Sequence, residues 1–171
     1  VKKRKTLRSF FCKFVQNITI KPKKMNNTNL TLPVDLIQNL VDNYRNNQLD
    51  SINQNMAMDD AHSIWFDLPT LKNFIAEIET QAQAIDPNVP SVDLGIRFYY
   101  AAYPQVPQQP IPSNYAKRHT LVMIPTKKKE SLNYDFNPFE EGKALAVTGE
   151  LALAQNHGTL VPPSTSIVES Y

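Results

Sequence analysis

Between Tyr103 and Ser113, prolines stand at positions 104, 107, 110 and 112, and this spacing excludes both helix and interior strand from the segment. Proline has no backbone N–H to give to a ladder and clashes with a preceding helical turn, so the stretch must run as an extended loop. On its N-terminal side, residues 94–103 alternate. Ile96, Phe98, Tyr100 and Ala102 take one face of a strand, and Arg97, Tyr99, Ala101 and Tyr103 take the other. The alternation assigns Ile96, Phe98 and Tyr100 to packing and sets Arg97, Tyr99 and Tyr103 apart. On the C-terminal side, residues 119–125 form a nearly unbroken apolar run, which suits a strand covered on both faces.

A third strand is expected at 61–66, where Ile64, Trp65 and Phe66 precede Asp67 as the cap of a helix over 68–85. Phe66 before the cap and Leu71 four places after it are placed as a hydrophobic staple. Leu71, Phe74, Ile75, Ile78, Ala82 and Ile85 continue one apolar stripe until Asp86-Pro87 ends it. A right-handed crossover predicts that the first two strands are parallel and that the third returns antiparallel. A helix over 33–45 opens on Pro33 and carries a stripe of Leu36, Ile37, Leu40, Val41 and Tyr44, which predicts packing. Residues 46–55 read as a polar linker. Asn137-Pro138-Phe139-Glu140 starts a further helix over 138–156, with a hairpin near Thr148-Gly149 as its alternative. The fold class is therefore α+β: one domain over 25–163, a small mixed sheet packed by helices, and an extended tail over 164–171.

Charge is distributed unevenly. Nine of the eighteen lysines and arginines fall at or before Lys24, a stretch without a single acid, while the remaining residues carry nine basic and sixteen acidic side chains. That balance argues against a nucleic-acid surface on the folded part, leaving only residues 1–24 as a basic arm. This leader resembles an interrupted signal peptide, because Lys13, Gln16 and Asn17 break its apolar stretch. A start of translation at Met25 is the preferred reading. Cys12 has no partner in the chain, so no internal disulfide is possible. No apolar run is long enough to span a bilayer, and the expected location is the cytoplasm.

Five residues form the candidate recognition surface. Arg97, Tyr99 and Tyr103 combine a guanidinium with phenol hydroxyls that can orient a carboxylate, a phosphate or a ring, and Asn156 and His157 precede Gly158 in a shaped turn. The proline loop formally matches PxxP. A competing reading gathers His62, His119 and His157, helped by Asp60, into a three-histidine site for zinc or another divalent metal. The sequence holds no HExxH pattern, cysteine cluster, GxSxG elbow or glycine-rich phosphate loop. Asp59 and Asp60 read more simply as a solvated turn and Asp67 as a cap.

Residues 64–75, residues 95–104 (Gly95 to Pro104), and Asn156-His157-Gly158 with Pro162-Pro163 resemble uncharacterised small proteins of Bacteroidota-type bacteria. The resemblance covers about residues 60–163 and implies a bacterial origin without implying an activity. The leading expectation is a non-enzymatic binding or interaction protein for an unknown protein or small ligand, with no cofactor. The alternative is a metal-assisted hydrolase using the three histidines. For the leader, mass spectrometry of the native protein is expected to recover no peptide between Thr6 and Lys21; finding one disproves a start at Met25.

Overall fold

In the computed structural model, which describes residues 31–139 and 151–171, the Asp67 carboxylate accepts from the Thr70 backbone N–H at 2.8 Å and the Thr70 hydroxyl at 2.6 Å. It thereby caps α3 (Leu68–Ile85), filling one of the donors that every helix N-terminus leaves open. The Thr70 hydroxyl and then its N–H favour the charged carboxylate and hold Asp67 below the usual aspartate range. Along α3, Phe74, Ile78 and Ala82 recur at four-residue spacing and are buried, whereas Ile75 and Ile85 of the expected stripe are exposed. Phe74 and Ile78 form a core cluster with Met123, and both staple residues, Phe66 and Leu71, pack against it.

The surface under α3 is a three-stranded antiparallel sheet, ordered β2 (Leu94–Ala102), β3 (His119–Lys129) and β4 (Leu132–Asp135). Pairing of β2 with β3 runs one-to-one from Leu94 with Lys127 to Ala102 with His119. β3 continues four residues past Pro125, where the sequence suggests a stop. Pro125 turns its backbone away from β2, and on that side only its carbonyl is used, accepting from Phe136 N–H at 2.8 Å. The missing N–H therefore costs the β2 ladder nothing. A two-residue turn at Glu130 and Ser131 leads into β4, with Glu130 at φ 58°. Of the residues assigned to packing on β2, only Ile96 joins the core; Phe98 is 52% and Tyr100 92% exposed, because α3 covers only one end of the sheet.

β1 (Ser63–Trp65) is not the parallel neighbour of β2. It pairs antiparallel with β5 (Thr159–Val161) in a second sheet, so among the described residues every strand pairing is antiparallel and two sheets stand in place of the single mixed one. The crossover rule applies to strands that share a sheet, and β1 finds its partner elsewhere. Gln155 joins the two sheets by exchanging backbone hydrogen bonds with Met123 at 2.9 and 3.0 Å, just before the chain enters β5. Residues 151–156 are thus extended, not helical. The rest of the expected helix and the hairpin alternative lie mainly in 140–150, outside the described residues, as does the leader. Asn137, expected as a helix cap, is buried and donates to the Leu151 carbonyl at 3.0 Å.

Residues 46–55 are helical. α1 (Val34–Asn43) passes through a π-helical turn, Tyr44–Leu49, into α2 (Asp50–Met56). Polar side chains bond back one turn, Asn47 to the Asn43 carbonyl and Asn55 to the Ser51 carbonyl, while Gln54 donates to the Asp50 carboxylate, a pair four residues apart that supports a helix. Ala57, at φ 49°, ends it. The apolar stripe of α1 is not buried, with Leu36 and Leu40 exposed; the helical segment is anchored instead through buried Leu49. In the tail, Glu169 lies 3.3 Å from Arg45 and 2.8 Å from Nδ1 of His62, to which it makes no hydrogen bond. The whole is a mixed α+β domain. Among the described residues no helix is long and apolar enough to cross a membrane.

Gly158 is required by close approach, since its φ is not in the left-handed region. A Cβ built there collides with the Ile64 side chain and sits 2.6 Å from the Phe66 ring. Gly158→Ala is expected to destabilise the protein by about 1–3 kcal/mol through overpacking, read from a urea transition; an unchanged midpoint contradicts this packing.

Candidate functional site

The loop fixed by the prolines folds against the joint between the two sheets and forms one wall of an open pocket of about 410 Å³. Pro110, Ile111 and Pro112 line that wall, Tyr103 and Tyr115 line the interior, and residues 156–159 form the opposite side. Tyr103 is buried in a cluster with Ala61 and Leu160. Its ring lies 5.5 Å from that of Tyr115 at 41°, a tilted aromatic pair. The Tyr115 hydroxyl accepts from the Leu160 backbone N–H at 3.2 Å, tying the loop to the outer edge of β5.

Two hydroxyls fix the amide of Asn156. Thr120 donates to its Oδ1 at 2.7 Å and Tyr103 at 3.0 Å, so the oxygen faces the sheet and the NH₂ group is held in a defined direction. His157 is exposed. Its backbone N–H donates to Gln155 Oε1 at 2.8 Å, which identifies that atom as the amide oxygen, and Nδ1 of the ring lies 2.6 Å from the same atom. An amide oxygen only accepts, so Nδ1 carries hydrogen and Nε2 holds the lone pair of the neutral imidazole. The pocket therefore combines aromatic and proline walls with oriented amide and imidazole groups.

Arg97 and Tyr99 lie elsewhere. Both engage the Asp135 carboxylate through short contacts, and Arg97 also donates to the Asn133 carbonyl at 2.9 Å. Tyr103, although it shares their alternation, lies just beyond the end of β2 and turns inward to Asn156. The expected recognition surface thus separates into a pocket holding Tyr103, Asn156 and His157, and a sheet-face cluster in which the guanidinium is already paired.

The three histidines do not meet. His62 faces Glu169, His119 faces Asp60 and His157 faces Gln155, and among the described residues no three acidic, histidine or cysteine side chains are placed to hold a metal ion. Asp60 is not in a solvated turn. It is completely buried, and its Oδ1 accepts from the backbone N–H groups of Ala61 at 2.7 Å and His119 at 2.8 Å, while Oδ2 contacts the His119 ring closely. Its own N–H donates to Asn53 of α2 at 2.8 Å. Burial, followed by the nearby charge of Asp60, raises the pKa of Tyr44 above its ordinary value, keeping that phenol neutral. Thr120 and Tyr115 were not legible as site residues. Thr120 sits in the apolar run of β3, and its buried hydroxyl was the available signal.

No protein-family profile, curated protein or solved structure matches the chain.

Asp60→Ala strands two buried backbone donors and removes the His119 partner, with an expected cost of about 3 kcal/mol or more in denaturant titration. Asp60→Asn retains an acceptor for the two N–H groups and is expected to cost less. Equal stability of Asp60→Ala and wild type refutes this role.

Proposed function

We propose that this is a non-enzymatic binding protein of the bacterial cytoplasm whose recognition site is the pocket between the proline loop and residues 156–159. The observation that carries the reading is the side-chain arrangement around Asn156. Two hydroxyls hold its amide in one orientation beside an exposed imidazole, on a site whose remaining walls are aromatic and aliphatic. Such a combination, apolar walls with a few directed polar groups, is the usual composition of small-ligand sites. A ligand suited to it has a flat or aliphatic body that packs on Tyr103, Tyr115 and Ile111, an adjoining carbonyl or carboxylate that accepts from Asn156, and an N–H or O–H that donates to Nε2 of His157. A side chain presented by a partner protein has the same chemistry. The resemblance at residues 64–75 and 95–104 supports the bacterial assignment.

The reading is tested by screening a fragment library of aromatic carboxylates and amides by two-dimensional amide NMR. Hits are expected to shift Ile111, His157, Gly158 and Thr159 together. His157→Ala, at an exposed side chain whose ring hydrogen-bonds to Gln155, is expected to weaken them about tenfold, equivalent to about 1.4 kcal/mol, without changing stability. Hits that map away from these residues, or that ignore His157→Ala, overturn the proposal.

A further inference from the structure

The outer edge of β2 is the longest unpaired strand edge among the described residues. Tyr103 N–H bonds to the Arg118 carbonyl, and Met123, opposite Phe98, sends its N–H to Gln155 instead of β2. Backbone direction alternates along a strand, so Leu94, Ile96, Phe98, Tyr100 and Ala102 turn their N–H and C=O groups outward. The Leu94 N–H turns back to the Ser91 carbonyl, and no hydrogen bond joins the other outward groups to another described residue. The edge also lacks the devices that ordinarily block strand addition. Residues 94–102 contain no proline or lysine, the one-to-one register leaves no bulge, and the single charge, Arg97, is paired with Asp135.

The same edge carries a projection and a recess. Tyr100 is 92% exposed, and beside the other end of the strand lies an apolar pocket of about 290 Å³ lined by Ile75, Ile78, Leu94 and Ile96. Tyr100 and Ile96 belong to the same face of β2.

We propose that β2 pairs antiparallel with β2 of a second copy of this chain about a two-fold axis at Phe98. That register sets Leu94 opposite Ala102, Ile96 opposite Tyr100 and Phe98 opposite itself. Ile96, Phe98 and Tyr100 then lie in narrow pairs exchanging two hydrogen bonds each, and at either end the Leu94 carbonyl accepts from the Ala102 N–H while the Leu94 N–H keeps its bond to Ser91. Tyr100 of each copy stands beside Ile96 of the other, directed at the other's apolar pocket. On the opposite face Arg97 meets Tyr99, and no like charges are opposed. A self-complementary patch of this kind is what a closed two-fold dimer requires. An unrelated extended peptide can satisfy the backbone but has no reason to carry an aromatic ring at the register that fills the pocket.

Sedimentation of the full chain between about 1 and 100 µM tests the proposal, with concentration-dependent dimerisation expected. Amide exchange at Ile96, Phe98 and Tyr100 is expected to slow as the concentration rises. Tyr100→Lys, at a side chain that touches little in the monomer, is expected to raise the dimer dissociation constant about tenfold or more. Phe98→Pro removes an outward donor and spares the β3 ladder, and is expected to act in the same direction. A monomer throughout the range, including one that accepts an extended peptide at this edge, overturns the proposal. So does a dimer that leaves these amides unprotected, or one indifferent to both substitutions.

Discussion

A single buried carboxylate holds the molecule's parts in register. Asp60 stands where the helical segment, the approach to β1 and the start of β3 converge, and it bonds across them: its N–H to Asn53, its Oδ1 to Ala61, ahead of β1, and to His119, its Oδ2 to the His119 ring. A carboxylate taken out of water is strongly disfavoured unless its lone pairs are occupied, so the charge tolerates little displacement of these donors. The pocket depends on this joint. One of its walls follows from β2 and the loop after it, while the other leads into β5, which is paired to β1. The backbone exchange between Gln155 and Met123 and the Thr120–Asn156 bond reinforce the same seam.

What local chemistry determines was readable from the residues. Asp67 and Thr70 start α3 without help from the rest of the chain, and alternation located β2 and β3. Pairings set by distant partners were not readable. β1 is three residues long and could equally have joined β2 until β5 claimed it. The polar run after Asn46 reads as a linker because few apolar residues mark it, yet it is helical, with buried Leu49 as its anchor and the Gln54–Asp50 pair in support, and the spacing of Leu49 and Ile52 is the weak signal available. Alternation also overstated burial. It correctly gives the face that Phe98 and Tyr100 occupy, but it carries no information on how far along the strand α3 reaches.

The candidate site divides along the same line. Tyr103, Asn156 and His157 stood out by residue type and turn context, and the fold brings them together. Arg97 and Tyr99 stood out equally, but their partner Asp135 lies on β4, a strand obscured because Glu130-Ser131 is a turn without the usual asparagine or glycine. Asp60 reads from sequence as a metal ligand or a solvated turn, whereas in the fold it is a buried structural carboxylate. An acid at the edge of an apolar segment carries no sequence mark that distinguishes a solvated turn from a buried clamp.

The β1–β5 pairing carries a consequence for biosynthesis. Ile64 is registered with Leu160, 96 positions later in the chain, and Leu160 is the fully buried centre of the cluster behind the pocket. Closing so long a loop is slow relative to forming a local hairpin such as β3–β4. On the ribosome, α3 and the β2–β4 meander can assemble while β1 still waits for a strand that has not been made. The pocket's second wall therefore follows the meander, and the pocket is complete only in chains synthesised through β5.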